Sequence, residues 1–149
     1  MYSEAVPGSV ESIAVVAEES APPSAVGEIE VTDGGLVGDR YGEAGDITLI
    51  EAEALEGLRS DTGIELSHEE SRRQVLTRGI DLNALVGKRF IVGTVECEGQ
   101  ELCEPCNHLQ SLTKPGVLRG LVHRGGLRAD IIAPGRIAVG DAVTEGGNS

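Results

Sequence analysis

Apolar residues along this chain fall into short runs separated by glycine-rich and charged stretches. In Val10–Val16, Val10, Ser12 and Ala14 alternate with Glu11, Ile13 and Val15, and the β-branched content predicts a strand. Ile29–Thr32, Asp46–Ile50 and Gln74–Thr77 predict three more, and Arg89–Cys97 (RFIVGTVEC) is the most strand-like stretch. Leu127–Ala133 and Arg136–Val143, separated by Pro134-Gly135, read as a hairpin. Helical signals are short. Glu51–Arg59 has acidic residues in its first turn, which suits the helix dipole. Ser67-His68-Glu69-Glu70 has capping-box spacing, Asp81 can cap Leu82–Val86 ahead of Gly87, and Asn107–Thr113 and Gly116–His123 predict two further helices. Glu18–Gly27 (EESAPPSAVG) reads as a surface loop, and the tail from Glu145 to Ser149 should fray. Some seven strands that do not alternate with helices predict a mainly β fold, a barrel decorated with short helices.

Composition narrows the picture. At 149 residues the chain suits one domain, residues 1–149 with a core of about 9–143. Aromatics are confined to Tyr2, Tyr41 and Phe90, so the core must be aliphatic and stacking platforms for single-stranded nucleic acid are excluded. The formal charge of −13 repels nucleic-acid backbones and anionic membranes. No run approaches the length of a spanning helix, and the first residues lack the pattern of a signal peptide, so a cytoplasmic protein is expected. Lys88 and Lys114 are the only lysines, and with so many acidic residues this fits a halophilic source. An acidic protein from a GC-rich genome is the alternative.

The richest chemical cluster is Cys103-Glu104-Pro105-Cys106-Asn107-His108, with Cys97 upstream. Three chemistries compete with plain burial of small apolar thiols. Cys97, Cys103, Cys106 and His108 could hold structural zinc, although the second half of a ribbon or finger is missing. Cys-x-Pro-Cys resembles redox pairs, without their βαβ setting. A single thiolate could ligate a soft metal or carry sulfur; Cys106 is favoured, because Pro105 stiffens the backbone before it and the next turn reads as helical, with Cys103 alongside.

Arginines form a second pattern. Arg72, Arg73 and Arg78 cluster within seven positions, Arg119, Arg124 and Arg128 surround a Gly-Gly pair, and Arg40 lies within Asp33–Gly45, which holds five glycines in thirteen residues. Guanidinium forks beside exposed backbone N–H groups suit phosphate, and such a loop reads as a ligand cradle. Salt bridges to the abundant glutamates are the competing reading for each arginine. His68 and His108 carry little signal alone.

Gly34–Tyr41 (GGLVGDRY), Ile47–Ile50 (ITLI), Arg72–Gly87 (RRQVLTRGIDLNALVG), Glu101–Leu109 (ELCEPCNHL) and Val117–Leu127 (VLRGLVHRGGL) follow one another as in standalone MOSC domain proteins, which the chain resembles from about Ser9 to Val143. That domain takes its name from the C-terminal domain of molybdenum cofactor sulfurases. The resemblance implies a MOSC-type, pyruvate-kinase-barrel-like β-barrel with peripheral helices and binding of the molybdenum–pyranopterin cofactor (molybdopterin, Mo). It implies that Cys106 is the metal ligand and catalytic residue, and that Arg40, Arg72 and Gln74 contact the pterin or its phosphate, with Arg78, Cys103 and Arg124 joining the cofactor-binding set. Tyr41 and Gln74 depart from the histidine and asparagine common in the family; Gln74 keeps both amide functions. The implied activity is a molybdoenzyme, an oxidoreductase that reduces N-hydroxylated or N-oxide compounds. A sulfur carrier with a persulfide on Cys106 and a zinc-stabilised interaction module are the alternatives. With no sulfurase or ferredoxin domain in this sequence, electrons or sulfur must come from a separate protein.

Overall fold

The computed structural model describes residues 8–17, 22–39, 45–71, 73–103 and 125–146. The expected helices at 107–113 and 116–123 lie outside them, as do residues 40–44 of the glycine-rich stretch. The described residues form eleven strands: β1 (Gly8–Val15), β2 (Ser24–Val26), β3 (Glu28–Thr32), β4 (Gly35–Leu36), β5 (Asp46–Glu51), β6 (Val75–Arg78), β7 (Arg89–Val92), β8 (Val95–Leu102), β9 (Leu127–Ala133), β10 (Gly135–Ala138) and β11 (Ala142–Glu145). Helix α1 (Ala52–Thr62), helix α2 (His68–Ser71) and a 3-10 turn (Leu82–Leu85) decorate them. Seven strands close a barrel in the order β1-β11-β7-β8-β9-β5-β6, and β6 returns to β1. β2 extends the sheet beyond β1, and β10-β3-β4 form a small second sheet. Among the described residues no helix is long and apolar enough to cross a membrane.

The core is aliphatic apart from Phe90. Ile13, Leu36, Ile47, Leu49, Val75, Phe90, Val92, Val95, Cys97, Leu127, Ile137 and Val143 are fully or almost fully buried together. Each buried leucine or isoleucine contributes roughly 1.5–3 kcal/mol by leaving water. A second cluster, Leu58 and Leu66, seats α1 and the chain after it. α1 outruns its expected end at Arg59: Gly63 closes it in the left-handed conformation (φ 77°), its N–H donating to the Arg59 carbonyl at 2.8 Å.

Five expectations are corrected. Ser24–Val26, placed in a loop, pairs with β1, Ile13 opposite Val26. Arg89–Cys97 is two strands, folded back at Gly93, whose φ of +61° no β-branched residue would accept. Leu127–Val143 is not a hairpin: Thr94 exchanges backbone and side-chain bonds with Arg136 (Thr94 N to Arg136 O 3.1 Å, Arg136 N to Thr94 Oγ1 2.8 Å), and the chain after Gly135 pairs with β3 while β9 stays in the barrel. The simple alternation in β1 fails at a bulge between Val10 and Ser12, so Val10 and Ile13, three apart, both face the core. Glu145, assigned to the fraying tail, ends β11 opposite Phe90.

β5 and β6 are the parallel pair of the barrel, and α1 makes the crossover between them. The chain between α1 and β6 carries His68, Arg73 and Gln74.

Candidate functional site

Gln74 immediately precedes β6 and is buried, 7% exposed. Its Oε1 accepts from the Thr48 N–H at 2.9 Å, which leaves the amide NH2 as the other end; Nε2 donates to Asp39 Oδ2 at 2.9 Å. Asp39 Oδ1 in turn accepts the Val16 N–H at 2.8 Å. The Gln74 N–H donates to Thr48 Oγ1 at 3.0 Å and the Gln74 carbonyl accepts from Ala14 at 2.8 Å. A buried amide with its polarity fixed in this way presents its donors in one direction only.

Arg73 sits beside it. Its Nε donates to the Gly125 carbonyl at 2.7 Å and its Nη2 to the Cys103 carbonyl at 3.2 Å. β5 lies between β6 and β9 in the barrel, so the guanidinium reaches across β5 to where the chain enters β9. Gly126, at φ +117°, packs so closely on the Leu49 carbonyl that a Cβ would collide with it. The Cys103 N–H donates to the Gly126 carbonyl at 2.7 Å. Burial pushes the Cys103 thiol up, and the Arg73 and Arg128 charges oppose that push. Arg128 itself is paired with Asp46 at 3.3 Å.

His68 lies beneath Arg73. Its Nε2 bonds the Arg73 carbonyl at 2.9 Å; a carbonyl only accepts, so Nε2 carries the hydrogen and Nδ1 accepts from the Ser12 hydroxyl. Burial holds its pKa below the ordinary 6.5 and keeps the ring neutral.

The sequence-derived site residues separate. Cys106, Arg40, Arg72 and Arg124 lie outside the described residues. Gln74, before the start of β6, and Cys103, after the end of β8, are brought near each other through Arg73, which is next to Gln74 in the chain and bonds the Cys103 carbonyl. Arg78 does not join them: it ends β6, about 13 Å of strand from Gln74 at 3.3 Å per residue, with its guanidinium bonded to Glu11 on β1 and Glu56 on α1. Cys97 is fully buried in the core, and its thiol is pushed up to about 12. Among the described residues no three His, Cys, Asp or Glu side chains gather as a metal site.

Asp39 and His68 take parts the sequence pattern did not assign them. Asp39 is 35 positions from Gln74 and His68 is 56 from Ser12, so no local periodicity links them. Asp39 does lie inside the Gly38-Asp39-Arg40 motif, and a carboxylate next to a cradle arginine was the available signal.

A family model for the MOSC domain matches residues 39–144. Among solved structures, the YuaD protein from Bacillus subtilis superposes with a TM-score of 0.82 at 16% identity, covering 93% of this chain and 94% of that one. YiiM from Geobacillus stearothermophilus gives 0.77 at 16% identity over 94% and 75%, and YiiM from Escherichia coli 0.70 at 16% over 95% and 71%. At these identities the superpositions establish the fold. No match to a curated protein sequence was found.

Proposed function

The chain belongs to the MOSC domain family, and from that premise we propose that it binds the molybdenum–pterin cofactor beside Gln74 at the start of β6, with the Cys106 thiolate as the metal ligand. One observation carries the reading: Gln74, at the position where the family commonly has asparagine, is buried with its carbonyl turned onto Thr48 and its amide NH2 turned onto Asp39. One amide hydrogen goes to Asp39, and the other is the donor assigned to the pterin, whose ring edge needs such donors and acceptors. The residues fit the group in charge as well. Arg40, Arg72 and Arg124 are assigned to its phosphate, where planar forks bind in pairs of hydrogen bonds. Arg78 is left out, because its guanidinium is already engaged by two carboxylates.

Bound, the cofactor supplies a redox metal able to take the oxygen atom of an N-hydroxylated or N-oxide compound. The chain's own contribution is placement. Thr48 and Asp39 orient Gln74, and Arg73 holds both ends of the segment that contains Cys106. A soft thiolate suits such a metal, and Cys103 stands three residues before it. The neutral, doubly bonded His68 orients the backbone at Arg73 and is spared proton transfer by its burial. Electrons would come from a separate protein. Cys97 packs in the aliphatic core, about 20 Å of strand from Cys103 at 3.3 Å per residue, which argues against the zinc reading that needed both as ligands.

Elemental analysis and pterin fluorescence of protein made in a molybdenum-competent host test the proposal. About one molybdenum per chain, lost in Cys106→Ser with the fold intact, is expected. Labile sulfane sulfur without molybdenum would replace the reading with the sulfur carrier, and stoichiometric zinc with the interaction module. Arg40→Ala and Arg72→Ala should each weaken retention by roughly 1.5–3 kcal/mol, the scale of a hydrogen bond to a charged group.

A further inference from the structure

One side chain is bonded to two backbone carbonyls far apart in the sequence, those of Cys103 and Gly125. Arg73 gives two of its five donors to these carbonyls, at 3.2 and 2.7 Å, and the Cys103 N–H closes the base on Gly126 at 2.7 Å. Its backbone is held in turn: its carbonyl accepts from His68 Nε2 at 2.9 Å, its N–H donates to Ser71 Oγ at 3.3 Å, and Ser12 on β1 bonds the far side of His68. A charged fork spent on two backbone carbonyls, in a chain with 25 carboxylates to pair with, is not a surface ion pair.

We propose that Arg73 is a positioning residue. It fixes the spacing between Cys103 and Gly125, and with it the stance of the Cys103 thiol relative to Gln74, without contacting the ligand. A planar fork is required, since two acceptors from separate strands must be met in one plane; lysine offers a point charge and no fixed plane. The staple stands on geometry alone, whereas its consequence for metal retention rests on the cofactor reading above.

The test uses Arg73→Lys, which keeps the charge, and Arg73→Gln, which keeps a planar donor. Three readouts are taken on the full chain: hydrogen exchange of the Cys103 amide, iodoacetamide alkylation of Cys103 in metal-free protein read by peptide mass, and molybdenum per chain. In both variants exchange and alkylation at Cys103 should rise about tenfold, as expected for a local opening, while amides of β1 and β7 keep their protection, and molybdenum content should fall. Exchange and alkylation within about twofold of wild type in both variants would overturn the staple. A tenfold rise with undiminished molybdenum would overturn its role in positioning. If wild-type protein itself holds no molybdenum, the cofactor reading fails, and the two metal-free readouts still decide the staple.

Discussion

At the Val75 end of β6 the polar side chains bond mostly to backbone; at the Arg78 end the charged side chains are exposed and bond mostly to one another. Gln74 and Arg73 hold Thr48, Asp39, Gly125 and Cys103, four points that belong to separate stretches of chain. Arg78 meets Glu11 and Glu56, and Glu53 accepts the Gly79 N–H at 2.8 Å, all exposed to water. The residue types are alike. The difference lies in the partners: backbone groups of packed strands have little conformational freedom to lose, so a side chain that meets them fixes geometry, whereas exposed carboxylates on long stems trade partners with solvent at little cost. Arginine clustering in a sequence therefore does not show what each arginine does: Arg73 and Arg78, five positions apart, meet different kinds of partner.

The sharpest way to break this contrast is at the glycine on which the inward end rests. Gly126→Ala forces a Cβ onto the Leu49 carbonyl at a φ that L residues avoid. It should cost about 3 kcal/mol or more in chemical denaturation. A change small enough to escape detection would mean that Gly125 and Gly126 are held less closely than described. Next comes Gln74→Leu, which leaves the Thr48 N–H and Asp39 without their amide partner and should cost about 2 kcal/mol, the penalty for orphaned buried polar groups.

A pH effect should mark the inward end. The folded pKa of His68 lies below the ordinary 6.5 because burial penalises the charged ring. Between that lowered value and 6.5 the unfolded chain binds a proton the folded chain does not, so stability rises with pH there. The contribution is complete above 6.5 and is lost as pH falls through the window. The difference between wild type and His68→Gln in urea midpoint should shrink on acidification from pH 7.5, and a difference that does not vary with pH would contradict a buried neutral ring. The smallest effect belongs to Arg78→Ala at the outward end. Its thermal midpoint should stay within about 2 °C of wild type, and any loss should vanish in high salt, as for exposed ion pairs.

The fold was legible where local patterning decides it. The strand signals at Val10–Val16, Asp46–Ile50 and Gln74–Thr77, the cap at Asp81, the helical turn that begins after Ser67, and the absence of βαβ alternation lead to a decorated barrel, and the residue motifs lead to the family. What failed was decided by distant contacts. Pro134-Gly135 looks like a hairpin turn in isolation, and only Thr94, some forty residues earlier, diverts the next strand to β3. Ser24–Val26 has a loop composition and becomes a strand because the edge of β1 is there to pair with. The candidate site divides in the same way. Gln74 and Cys103 were reached from motifs, and Asp39 lies within one, whereas the roles of His68 and Arg73 depend on Ser12, Cys103 and Gly125, 30 to 56 positions away, and have no local signature.

The central claim, that the cofactor faces the Gln74 end of β6 and not the Arg78 end, is tested most directly by molybdenum per chain in Gln74→Leu and Arg78→Ala, prepared side by side with wild type from a molybdenum-competent host. Arg78→Ala should carry as much molybdenum and pterin as wild type, and folded Gln74→Leu should have lost most of both. Loss in Arg78→Ala with retention in Gln74→Leu would contradict the account and move the site to the other end of the strand.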